Sequence, residues 1–114
     1  MLSGAPLDAR LDDQAVALWQ VIDVAAGQTL TLGRIKESGT RAYLSVLGGV
    51  QCPDYLGSKS TFTLGKFGGH NGRALRTGDV LHLESSASTV ASASVPDALR
   101  PNLDNQWEVR VIYG

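Results

Sequence analysis

The sequence has little of what usually announces location or chemistry. It holds one cysteine, Cys52, one methionine and two histidines in 114 residues. A lone cysteine excludes an internal disulfide, and so excludes the stapled architecture of small secreted domains. It fits a reducing, cytoplasmic setting. No apolar run approaches the roughly 20 residues of a membrane helix, and no basic-then-apolar leader follows Met1. Ten basic and eleven acidic side chains give a formal net charge of −1, with no run of either sign. That balance argues against nucleic acid or a membrane as a partner. Helical periodicity is also missing from every window of a dozen residues. At this length one domain with one modest core is expected.

What is present is alternation. "AVALWQVIDV" (15–24), "TLTLG" (29–33), "RAYLSVLGG" (41–49), "STFTL" (60–64), "DVLHLE" (79–84) and "WEVRVIY" (107–113) read as strands, rich in β-branched and aromatic residues. The expected fold class is all-β. Two segments echo each other, "AAGQTLTLG" (25–33) and "RTGDVLHLE" (76–84). Each sets a glycine and a polar residue before Leu-x-Leu, as a tight turn needing positive φ does on entering a strand. "ESSASTVASASVPDALRPNLDN" (84–105) is small, polar and proline-containing, so residues 85–105 read as a flexible loop. The chain opens abruptly on "MLSGAPLD" and stops at "WEVRVIYG" while the alternation still runs. It reads as a piece of a longer domain. The face of Trp107, Val109, Val111 and Tyr113 is then uncovered, and an unpaired edge of this kind predicts a homo-oligomer.

Most sources of chemistry fail on spacing. His70 and His82 lie twelve apart with Cys52 distant, so no metal motif forms. Cys52 precedes Pro53 with no evident base and reads as an inert thiol. The nucleophile elbow G-x-S-x-G is absent. "LGKFGG" has Gly-Lys without the following Ser or Thr of a phosphate loop. Asp79, directly after Gly78, reads as a turn residue.

One stretch remains, "GSKSTFTLGKFGGHNGR" (57–73). Gly57, Ser58, Ser60 and Thr61 offer amides and hydroxyls, while Gly68, Gly69 and Gly72 let the backbone approach a ligand closely. Arg73 can fork onto a carboxylate or stabilise an oxyanion. The plainer reading is a glycine-rich loop whose Arg73 pairs with a structural carboxylate. Composition leaves both open.

Residues 41–81 carry R-A-Y-L, then G-G, then P-x-x-L-G-S-x-S-T, then G-G-x-x-G-R-x-L and G-D-x-L. With those spacings the chain resembles the carboxyltransferase domain of biotin-dependent urea carboxylase and urea amidolyase. This is the allophanate hydrolase subunit 2 family, which also includes one of the subunits of 5-oxoprolinase. "SGAPLDARLDDQAVALW" and "WEVRVIYG" fit flanking parts of the same family. The resemblance implies a cyclophilin-like β-barrel or part of one. It implies a parent enzyme, biotin- and ATP-dependent, that moves a carboxyl group from carboxybiotin to urea and gives allophanate. Biotin would ride on another domain of that parent, with no cofactor bound to this chain and no activity expected of it alone. A subunit 1-type domain is the implied partner. Arg73 is the catalytic candidate, with Ser58, Ser60, Thr61, Gly68 and Gly69 as substrate-binding candidates. His70 is not counted among the family's fixed positions. Two alternatives stay beside this reading: a segment of the 5-oxoprolinase member of the family, and a non-catalytic regulatory binding module.

Overall fold

The structure is a computed structural model that describes residues 1–85 and 91–114. Its strands are β1 (Leu2–Gly4), β2 (Leu7–Leu11), β3 (Gln14–Ala15), β4 (Leu30–Ile35) and β5 (Ala42–Leu44). Beyond these, one 3-10 turn spans Asp97–Leu99. The fold class is all-β, as the alternation predicts. β1 pairs antiparallel with β5, and β2 lies between β3 and β4 in an antiparallel sheet. Neither strand order closes on itself, so the described strands form pieces of a wall and not a complete barrel.

The chain divides into two compact units, Met1–Ser45 with Val90–Gly114, and Val46–Thr89. The first holds every named strand. Its β2–β3 hairpin turns on Asp12 and Asp13, both at positive φ (47° and 67°). That is the two-residue turn whose twist suits paired strands, and aspartate tolerates it by bonding locally. Here the Asp12 carboxylate accepts from Gln28 Nε2 and from the Thr29 amide, both at 2.8 Å. The register of β2 against β4 shifts between Leu7 and Ala9. Opposite that bulge a side chain at Gly33 would meet the Asp8 carbonyl at 2.9 Å, so only glycine fits. Leu2, Ala5 and Ala9 form the buried core, and Gly39 packs directly over Ala5.

Several expected strands shorten or vanish. β1 and β2 carry the first paired segments, where the alternation predicts no strand, and 15–24 leaves its strand after Ala15. Trp19 takes φ 66°, held by its amide on the Leu2 carbonyl and its carbonyl on the Val95 amide, both 2.7 Å. A left-handed residue breaks the pleat, and only a bridge from Gln20 to Ser94 survives. "RAYLSVLGG" keeps three paired residues. "STFTL" runs into a hairpin closed by Phe62 and Phe67, and "DVLHLE" contributes one bridge, Leu83 to Val50. Residues 107–113 form no strand, and Trp107, Val109, Val111, Ile112 and Tyr113 are all strongly exposed. Alternation supplies a face but not a neighbour, and an extended segment needs a neighbour to become a strand. Within the expected loop 85–105, residues 86–90 lie outside the described residues. Beyond them Arg100 donates twice to the Val95 carbonyl, at 2.9 and 2.7 Å, and pairs with Asp97.

Candidate functional site

The Val46–Thr89 unit is built from turns. Tyr55 and Ser58 exchange backbone hydrogen bonds across Leu56 and Gly57, both at positive φ. Phe62 and Phe67 close a second hairpin. Phe67 joins the two, its ring 4.6 Å from Tyr55 and 5.2 Å from Phe62. Glycine then lets the chain fold back on itself. The Gly72 amide donates to the Gly68 carbonyl at 2.9 Å, and Gly68, Gly69 and Gly72 all have positive φ. A side chain on Gly68 would strike the Ser60 carbonyl, one on Gly69 the Thr61 hydroxyl, and one on Gly72 the Lys66 carbonyl. These glycines answer first to their own backbone neighbours.

The echo between 25–33 and 76–84 is turn chemistry repeated in detail. The Gln28 amide donates to the Ala25 carbonyl at 3.2 Å, and the Asp79 amide to the Arg76 carbonyl at 3.1 Å. Gly27 and Gly78 stand third in their turns at φ 86° and 90°, in open space. In each, the fourth residue's side chain also accepts from the first residue's amide: Gln28 Oε1 from Ala25 (2.8 Å) and Asp79 Oδ2 from Arg76 (2.7 Å).

A cavity of about 320 Å³ opens in this unit. Val50, Ala74, Leu75 and Leu81 form its apolar wall. Lys59, Thr61, Thr63, His70 and Arg73 supply its polar lining, which Cys52 and Gly69 complete. Three nitrogen bases or cations line it; among the described residues no carboxylate is in the lining, although Glu84 and Asp79 pair with Lys59 and Arg73. Of the expected site residues, Thr61, Gly69 and Arg73 come together here. Ser58, Ser60 and Gly68 fall outside the lining, and the Ser58 hydroxyl instead accepts from the Ser60 amide at 3.1 Å.

Arg73 forks onto Asp79 through two bonds of 2.8 Å and also donates to the Ala74 carbonyl at 2.9 Å. This is the pairing with a structural carboxylate that composition leaves open. The Arg73 fork, then the Arg76 amide, hold the Asp79 carboxyl well below the usual carboxylate range. The same pairing raises the Arg73 pKa. His70 Nε2 lies 3.8 Å from Asp79 Oδ1 and 3.2 Å from Asn71 Nδ2. Lys59 pairs with Glu84, which raises the ammonium pKa. The Cys52 thiol donates to the Lys59 carbonyl at 3.7 Å.

Lys59 and His70 are not among the expected site residues, and for Lys59 the signal is in the sequence. Lys59 and Thr61 line the cavity while Ser58, Ser60 and Phe62 do not, and Thr63 lines it from the turn that follows Phe62. The alternation from Ser58 to Phe62 is the period of two of an extended chain. Choosing Ser58, Ser60 and Thr61 by hydroxyl chemistry mixes both faces.

Residues 1–114 match the family described as carboxyltransferase domain, subdomain A and B. The urea amidolyase of Saccharomyces cerevisiae is 39% identical over 119 residues, covering 99% of this chain and 6% of that protein. A 5-oxoprolinase subunit of Escherichia coli is 45% identical over 85 residues, covering 75% of this chain and 27% of that protein. The crystal structure of Kluyveromyces lactis urea carboxylase superposes with a TM-score of 0.82 at 38% identity, over 91% of this chain and 10% of that one. The chain therefore spans a small part of each relative's length. With the all-β fold and a match along its whole length, this chain belongs to the carboxyltransferase domain family, subdomains A and B.

Proposed function

We propose that this chain supplies part of the site at which a parent enzyme passes a carboxyl group from carboxybiotin to urea, giving allophanate. The observation that carries the reading is the cavity. It brings Lys59, His70 and the Thr61 and Thr63 hydroxyls into one lining, a donor set able to receive an anionic carboxyl group, while Arg73 is held by Asp79. Its volume reaches the range of small-molecule sites. The donor set fits the group: the apolar wall of Val50, Leu75 and Leu81 suits an uncharged ring, and Thr61 and Thr63 offer hydroxyls to a carboxylate or a urea carbonyl. Biotin, attached to another domain of the parent, supplies the activated carboxyl group. The part played by this chain is to bind, orient and neutralise. Ser58, Ser60, Gly68 and Gly69 shape the loop that carries Thr61 and Lys59, and the Arg73–Asp79 fork fixes the loop's far end. A subunit 1-type domain of the same family completes the site, and the exposed 107–113 segment joins copies of this chain as a homo-oligomer.

The identity to the Escherichia coli 5-oxoprolinase subunit favours a second reading, in which the cavity serves 5-oxoproline hydrolysis. Assaying the full-length parent separates the two. Urea-dependent consumption of carboxybiotin is expected, and 5-oxoproline-dependent ATP hydrolysis without a response to urea would replace the first reading with the second. The 114-residue chain alone is expected to carboxylate no urea.

A further inference from the structure

We propose that Lys59, and not Arg73, is the cation of this cavity that binds a ligand carboxylate, with Glu84 occupying Lys59 between ligands. The carboxyl-transfer reading supplies the choice of ligand; the assignment itself comes from how the two cations are held. Arg73 is committed. Its fork spends one bond from each terminal nitrogen on Asp79, and Asp79 is pinned again by the Arg76 amide. Both partners are largely sheltered, with side chains 29% and 15% exposed. A carboxylate ligand would have to break a bidentate pair and a turn to reach this guanidinium.

Lys59 is held differently. Its single ion-pair partner among the described residues, Glu84, binds through one carboxylate oxygen, and both side chains are nearly half exposed. Pairs of this kind exchange partners easily, because water and ions compete for both ends. Lys59 also lines the cavity together with Thr61 and Thr63, so an arriving carboxylate meets an ammonium and two hydroxyls together. The backbone at Lys59 is steadied by the Cys52 thiol on its carbonyl. Arg73 is a positioning residue that holds the loop of Gly69 and His70 in place.

The test is a titration of the 114-residue chain, followed by the backbone amide NMR shifts of residues 58–73. Two probes are used: malonamate, a stable carboxylate with the shape of allophanate, and 5-oxoproline. Lys59→Met is expected to weaken binding about tenfold to a hundredfold, the usual loss for a hydrogen bond to a charged group. Glu84→Gln, which removes the competitor, is expected to tighten binding severalfold. Arg73→Lys is expected to lower the melting temperature while leaving the dissociation constant within about threefold. Unchanged affinity in Lys59→Met, weaker binding in Glu84→Gln, or lost binding in Arg73→Lys at an unchanged melting temperature each overturns the assignment. Shifts with neither probe overturn it too. If 5-oxoproline alone binds and Lys59→Met abolishes that binding, the assignment stands and the urea reading falls.

Discussion

The two units of this chain are stabilised in different ways. Met1–Ser45 with Val90–Gly114 is held by backbone ladders, with Leu2, Ala5 and Ala9 buried among them. Val46–Thr89 contains no named strand among its described residues, and Gly72 is its one buried residue there. It is held by glycine turns, an aromatic cluster of three rings and two ion pairs. A ladder spreads its free energy over many equivalent bonds, whereas a turn-built unit concentrates it in a few positions that admit one residue type. The cavity lies in the second kind of unit. Loops positioned by local bonds can present many different side chains to a ligand, and they open more easily than core strands.

Single substitutions at those concentrated positions should break the contrast most sharply. At Gly72, φ is 63° and an added side chain would run into the Lys66 carbonyl and lie 2.6 Å from the Phe67 amide nitrogen. Gly72→Ala combines left-handed strain with overpacking, and about 2–5 kcal/mol of destabilisation is expected in urea unfolding. Leu2→Ala, in the strand-built unit, is expected to cost about 2–3 kcal/mol, near the lower end for a buried leucine because the core around it is small. Gly27→Ala calibrates both. It shares the positive φ but meets nothing within 4 Å, so only the conformational penalty of about 1–2 kcal/mol should appear.

The two ion pairs of the cavity unit should fail at opposite ends of the pH scale. The Asp79 carboxyl is held below its ordinary value, by Arg73 first and the Arg76 amide second. The folded state therefore takes up that proton less readily than the unfolded one. Its stabilisation is complete above the ordinary carboxylate pKa of about 4 and declines as pH falls below it. Lys59 is shifted upward by Glu84, so its contribution is complete below the ordinary lysine value and declines as pH rises past it. Comparing unfolding of the parent chain with Asp79→Asn and with Glu84→Gln across pH checks both signs. The Asp79→Asn difference should shrink in acid, and the Glu84→Gln difference in alkali.

How much is legible in the sequence follows from what each signal encodes. The all-β class is readable because alternation survives whether or not a strand finds a partner. The two glycine turns are readable because Gly27 and Gly78 sit in open space, so their presence can only mean backbone conformation. Strand extents are not readable. Trp19 looks like an ideal strand residue, and only the bonds to Leu2 and Val95, far away in sequence, force it into the left-handed region. Arg73 stands out for its chemistry, and nothing local says whether its fork meets a ligand or Asp79 six residues later. Lys59 hides between two serines, although the parity of the chain places it with Thr61.

The smallest effect on stability is expected at the exposed end of the strand-built unit, where it carries the most information about association. Val109, Val111, Ile112 and Tyr113 are between 76% and 101% exposed, so replacing one of them with serine removes no packing within the chain. Val111→Ser should therefore change unfolding by less than about 0.5 kcal/mol at low concentration. If the segment joins copies of the chain, the same substitution removes apolar surface at the contact and weakens it. Light scattering across a wide concentration range should then show a dimer for the parent chain and a shift toward 12.0 kDa monomer for Val111→Ser. A parent chain that stays monomeric at high concentration would assign the exposed segment to some other partner, because its apolar face would then have no second copy to cover it.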